Sequence, residues 1–210
     1  MYINLDVLNI THGNTDMIDT EFGRMHIERI EAGKLKVISG KVIATDPILL
    51  YDDESYSETI KPGTYPVYIY YGKTEKRKKQ SIIAELKLSD NEPVKWEMAL
   101  YAGESSSGFA FDEFMGYEVE NGLGCFMDEK VMRILDVMDE NELEKYEKKV
   151  KNVVRESDNS CVEVVLDETN GANIIIFASG WNNGVFPTYY GFDKNNKLTR
   201  LVTDFMVVEL

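Results

Sequence analysis

The chain has 210 residues, 43% hydrophobic and 29% charged, and its 37 acidic against 23 basic side chains leave a net charge of −14. That length buries a full core without disulfides or metal staples, and the composition excludes a disordered chain. The excess of acid repels phosphate backbones, which argues against nucleic acid as a partner and speeds encounter with a basic protein.

No apolar run approaches the roughly eighteen residues that span a bilayer. Met1-Tyr2-Ile3-Asn4-Leu5-Asp6 has neither the basic start nor the apolar block of a signal peptide. A soluble, cytoplasmic protein with no membrane partner is expected. The two cysteines, Cys125 and Cys161, do not form a Cys-x-x-Cys pair and are expected to be reduced, buried thiols.

The first half reads as strands. Residues 25–30 alternate apolar and polar side chains, the period of a half-buried strand. Residues 31–34, with Gly33, are expected to turn a hairpin into 35–38. Ser39-Gly40 then turns into the strand 41–45, which Asp46-Pro47 ends, because proline cannot donate to a ladder. Residues 1–24 are expected to be a peripheral segment.

Lys61-Pro62-Gly63 is a turn that opens the strand 65–71, rich in tyrosine and β-branched residues. The basic stretch 73–79 is expected to be the tip of a hairpin completed by 81–88, its lysines guarding the sheet against aggregation. Residues 94–100 read as another strand and 103–108 as a loop.

Helical spacing is confined to about 128–155. Val131, Ile134, Leu135 and Met138 share one face; Leu143, Tyr146, Val150, Val153 and Val154 share another. Asp128 stands where an N-cap would, and Asp139 with Glu142 forms a capping-box pattern between the helices. Strands return at 161–166, 173–177, about 188–192 and 198–208, joined by turns at 167–171 and 193–197. Strands, a helix pair, then strands with short turns predict one α+β domain over 1–210. Its sheet is mainly antiparallel, sandwich- or barrel-like, with the helix pair inserted at about 128–155.

The densest concentration of unusual residues is 179–191. Three glycines, a proline and four aromatics follow an apolar strand, and the stretch reads as a shaped loop. Trp181, Asn182, Asn183 and Tyr189 are the candidate ligand-binding residues there, because aromatics and amides together supply stacking area and hydrogen bonds.

Several motifs, taken in order, resemble a family known as domain of unknown function family 4241, found mainly in bacteria. They are Ser39-Gly40-Lys41 with Asp46-Pro47, then 62–67, Trp96-Glu97-Met98-Ala99, 122–128, Ser179-Gly180-Trp181, Phe186-Pro187-Thr188-Tyr189 and Val202-Thr203-Asp204-Phe205. The resemblance runs from about residue 35 onward and implies no activity. Members resembling this chain tend to have Gly-Asp-Gly where Asn182-Asn183-Gly184 stands, and an aspartate where Glu120 stands.

Four acids lie beside turns: Asp46, Glu97, Asp128 and Asp204. Acids brought together can act as an acid–base pair or hold a divalent ion, although each also has an ordinary reading: Asp46, Asp128 and Asp204 as backbone acceptors in turns or caps, and Glu97 as a solvent-facing strand residue. Cys125, just ahead of a helix start, is a weaker nucleophile candidate, since neither His12 nor His26 is linked to it. No phosphate loop, zinc motif or serine elbow is present, and no metal or cofactor is expected. The preferred reading is a module that binds a ligand or a protein, in its most specific form an acidic immunity-type protein with a basic partner. The alternative is a hydrolase using the loop carboxylates, with or without a divalent ion.

Overall fold

A computed structural model of the protein describes residues 2–13, 16–21, 23–49, 54–76, 78–156 and 160–208. The elements in chain order are α1 (Leu5–Leu8), a 3₁₀ turn (Asn9–His12), β1 (Met17–Thr20), β2 (Gly23–Val37), β3 (Val42–Thr45), β4 (Gly63–Lys73), β5 (Gln80–Lys87) and β6 (Lys95–Met98). They continue with β7 (Gly116–Val119), β8 (Leu123–Asp128), α2 (Glu129–Asp136), α3 (Glu140–Glu156), β9 (Cys161–Asp167), β10 (Ala172–Ala178), β11 (Gly184–Phe192) and β12 (Leu198–Asp204). The side chains of Val153 and Val154, and Arg77 of the basic hairpin, lie outside the described residues.

The strands form two antiparallel sheets. The larger is a curled half-barrel in the order β1-β2-β4-β5-β12-β11-β6, with β7 paired to the remaining length of β11. The smaller runs β3-β8-β10-β9. The main core lies between the sheets and contains Leu35, Val67, Ile69, Phe126, Ile175, Phe177, Phe186 and Phe205. The helix pair covers the other face of the small sheet through Val131, Leu135, Tyr146 and Val150, packed on Ile43, Cys125, Met127, Ile174 and Ile176. The small sheet is therefore buried on both faces, which is why β8 and β10 read as unbroken apolar runs rather than alternating ones. On the far face of the large sheet, Val7, Leu8 and Ile10 of the N-terminal segment pack with Tyr70, Ile83, Tyr189 and Val202.

Local signals act as the sequence predicts at several points. Asp128 caps α2, its Oδ1 accepting from the Lys130 amide at 2.9 Å. Asp139 and Glu142 exchange side-chain-to-backbone bonds of 2.9 and 3.0 Å at the start of α3. Two expectations need correction. Residues 31–34 do not turn a hairpin: β2 runs straight through, with a bulge between Glu31 and Gly33 where Gly33 has φ +150°. The loop at 179–191 is also shorter than expected, because β11 begins at Gly184 and its first four residues pair with β7.

The bulge has a consequence for packing. A Cβ on Gly33 would lie 2.9 Å from Glu163 Oε2 and 3.0 Å from Ile175 Cδ1, so glycine lets the small sheet approach β2 closely. Beyond the bulge, β2 and the two residues that follow it donate outward amides to side chains of the small sheet. Lys34 N donates to Glu163 of β9 (3.2 Å), Lys36 N to Asn173 of β10 (2.8 Å), and Ile38 N and Ser39 N to Asp128 of β8 (2.8 Å each). Asn173 Nδ2 in turn donates to the Lys34 carbonyl at 2.8 Å and to Glu163 Oε1 at 2.7 Å. Side-chain oxygens thus do along this edge what a neighbouring strand would otherwise do.

Removing one of these buried partners leaves backbone groups unpaired, which costs more than the bond itself is worth. Asn173→Ala is expected to lower the unfolding free energy by about 2–4 kcal/mol in urea titrations. Val165→Thr, a change at a half-exposed position on the same sheet, should stay within about 0.5 kcal/mol of wild type.

Candidate functional site

Asp46 ends β3 and is fully buried. Its Oδ1 accepts the Ile48 amide at 2.9 Å, the local turn expected of Asp-Pro. Its Oδ2 accepts the Glu120 and Asn121 amides, each at 3.2 Å, and so holds the β7–β8 turn. The next residue in that turn, Gly122, accepts the Ser179 amide at 2.9 Å, and Asn182 lies against its Cα side. The carboxylate, the turn and the 179–183 loop are therefore one connected structure.

The same loop is fastened on its other side. A Cβ on Gly180 would meet Val207 and would lie 2.6 Å from the Ser81 carbonyl, so the loop lies flat on β5 and on the segment after β12. Gln80 Nε2 donates to the Gly180 carbonyl at 3.0 Å, and Trp181 Nε1 donates to the Phe205 carbonyl at 2.9 Å. The Ser179 hydroxyl donates to the Trp181 carbonyl. Despite these ties Trp181 is 42% exposed and Val185 46% exposed. Asn182 and Asn183 are exposed beside them. Val185 stands opposite Glu118 in the β7–β11 pair, and Glu118 and Glu120 are both exposed. The result is a fixed aromatic and amide surface with an acidic rim.

The remaining candidates lie elsewhere. Asp128 is fully buried at the opposite end of β8, and its Oδ2 is occupied by the Ile38 and Ser39 amides and the Ser39 hydroxyl. Glu97 is exposed on β6 and paired with Lys95. Cys125 is buried in the core beneath the helices. Tyr189 is fully buried on the far face of the large sheet, where its hydroxyl donates to the Tyr2 carbonyl at 2.9 Å. Asp46, Trp181, Asn182 and Asn183 therefore come together, with Asp46 behind the surface; Glu97, Asp128, Cys125 and Tyr189 do not join them. Among the described residues no three His, Cys, Asp or Glu side chains are grouped to hold a metal ion.

Sequence reading passed over Glu118 and Asn121, and it marked Glu120 only as a departure from the family pattern; the alternation of 116–120 was the one local signal. It also passed over a buried polar chain in the large sheet. Arg200 Nε lies 2.5 Å from Glu85 Oε1, and the Tyr70 hydroxyl donates to Glu85 Oε2 at 2.7 Å. Arg200 Nη1 donates to the Ser89, Asn91 and Thr199 carbonyls. A glutamate inside the apolar run 81–88 was the available sign, since a buried charge requires a partner.

Asp204 is the one candidate acid with chemistry of its own. It is 1% exposed, its Oδ1 accepts the Met206 amide at 2.8 Å, and its Oδ2 has no hydrogen-bond partner among the described residues. Burial pushes its pKa up to about 7, against the partial opposition of the Met206 amide. The unfolded chain therefore releases this proton at lower pH than the folded one. Asp204 costs nothing below about pH 4 and destabilises increasingly as the pH rises to about 7. Wild-type stability should fall across that window by up to a few kcal/mol more than that of Asp204→Asn. Parallel stability–pH curves for the two proteins would contradict this.

No curated protein and no solved structure matches the chain. Residues 35–203 match the model of a family described as a protein of unknown function, DUF4241, from the second half of β2 to the penultimate residue of β12. That span contains the smaller sheet, the helix pair, the Trp181 loop and the larger sheet apart from β1 and most of β2, and the chain belongs to this family.

Proposed function

We propose that this protein is a binding module whose contact surface is the loop end formed by Trp181, Asn182, Asn183 and Val185, with Glu118 and Glu120 at its rim. The observation that carries this reading is the state of Trp181: held by its indole N–H on the Phe205 carbonyl, yet 42% exposed. A large aromatic already fixed in place loses little conformational freedom on binding, which is why such residues anchor interfaces. The adjacent amides supply directional hydrogen bonds, and the acidic rim favours a basic partner. A bacterial, cytoplasmic immunity-type role against a basic protein is the specific form of this reading.

A hydrolase built on the loop carboxylates has less support. Asp46, the candidate acid tied to the loop through the β7–β8 turn, has both oxygens engaged by backbone amides, as does Asp128. A carboxylate so engaged is poorly available to move a proton or hold an ion.

The test is capture by the intact protein from cells that carry it, with chemical cross-links mapped by mass spectrometry. A basic partner should cross-link near residues 118–122 and 181–185, and Trp181→Ala should weaken its binding at least about tenfold while leaving the melting temperature near wild type. Undiminished binding by that variant, or cross-links clustered on the helix pair, would overturn the reading.

A further inference from the structure

A concavity of about 570 Å³ opens at the other end of β11, where Phe192 closes the strand. Eight residues of extended chain separate Gly184 from Phe192, so it lies about 26 Å from the start of the Trp181 surface. Its lining comes from four separate segments: residues 58–65, Leu88 just after β5, the outer strand β6, and the β11–β12 hairpin.

Each wall is held from behind. The Tyr190 hydroxyl accepts the Glu58 amide at 3.0 Å, and the Ile60 amide donates to the Gly40 carbonyl at 2.8 Å. The Tyr65 hydroxyl donates to the Lys61 carbonyl at 2.6 Å. Asp193 accepts the Asn195 and Lys197 amides at 2.8 and 3.0 Å, which sets the hairpin. The cleft is therefore formed before any ligand arrives, which lowers the cost of binding.

Its charges are unevenly satisfied. Lys95 and Glu97 neutralise one another across β6. Lys61 and Lys197, from different segments of the lining, have no carboxylate within 4.0 Å among the described residues, and Glu58 has no cationic side chain within 4.0 Å. Two ammonium groups and one carboxylate are thus left facing a concavity floored by Ile60, Leu88, Phe192 and Leu198. The complement of that set is a short aliphatic molecule with two carboxylates and one amine.

We propose that this cleft binds an acidic amino acid, its two carboxylates on Lys61 and Lys197, its amine on Glu58 and its methylenes on the apolar floor. The site is separate from the Trp181 surface, and neither reading rests on the other. On a chain of net charge −14, two cations that line one concavity with no carboxylate within 4.0 Å among the described residues give an anionic ligand a local landing place.

The experiment is an NMR titration of the intact protein with L-glutamate, glutarate and L-lysine, followed at the backbone amides. L-glutamate should produce saturable shifts at Lys61, Glu97, Phe192 and Asn196 by about 10 mM. Glutarate, which lacks the amine, should bind more weakly, and L-lysine should not move these signals. The double variant Lys61→Gln, Lys197→Gln should weaken L-glutamate about tenfold, the scale of two partly screened charge contacts. Glu58→Gln should bring glutamate and glutarate to the same affinity. All three positions are exposed, so the variants should fold normally. Absent saturation, shifts spread over other faces, equal binding of glutarate by the wild type, binding of L-lysine at the cleft, or an unaffected double variant would overturn the proposal.

Discussion

Backbone amides at the meeting of two sheets must find acceptors, and here side-chain oxygens supply them. Past its bulge, β2 has β4 on one side and no strand on the other for its last residues. The amides that face outward there are received by Glu163, Asn173 and Asp128, one from each of β9, β10 and β8. A single strand is thereby stitched across three strands of the other sheet. Asp46 does the same at the far end of β3, receiving the amides of the β7–β8 turn. With both sheet ends closed this way, the core between them excludes water without a continuous hydrogen-bonded barrel.

The Trp181 surface follows from that arrangement. Asp46 fixes Glu120 and Asn121; Gly122 then receives the Ser179 amide; the 179–183 loop is left with one face against Val207 and Ser81 and the other in solvent. The acids that looked catalytic when read along the chain act mainly by organising backbone. Asp204 stands apart, with one oxygen bound and the other without a partner among the described residues, and its effect is on stability rather than on the exposed loop.

Much of the fold was legible because its signals are local. The helix pair showed itself through spacing and through Asp128 and Asp139, whose caps depend on a few neighbouring residues. The turn at 61–63 that opens β4 and the hairpin turns at 167–171 and 193–197 were visible for the same reason. What was not legible depends on partners distant in sequence. Gly33 looks like a turn residue until Glu163 and Ile175 are brought against it. Asn173 looks like the polar start of an apolar strand until β2 crosses it. Tyr189 was grouped with Trp181 because they are close in sequence, but the strand period sends it to the opposite face of the sheet. Pro187 suggested a loop, yet it is tolerated within β11 opposite Gly116 of the short strand β7. The cleft between β6 and the β11–β12 hairpin left no trace in any one segment, since its lysines come from three.

Native-state hydrogen exchange tests this organisation most directly, read at the amides of Lys36, Ile38, Ser39, Glu120 and Asn121. If side-chain oxygens close the sheet ends, these five should exchange on the slow timescale of the β4–β5 ladder, although none of them faces a strand partner in its bond. Exchange as fast as that of the exposed loop at 103–108 would contradict it and would leave the Trp181 surface without its support.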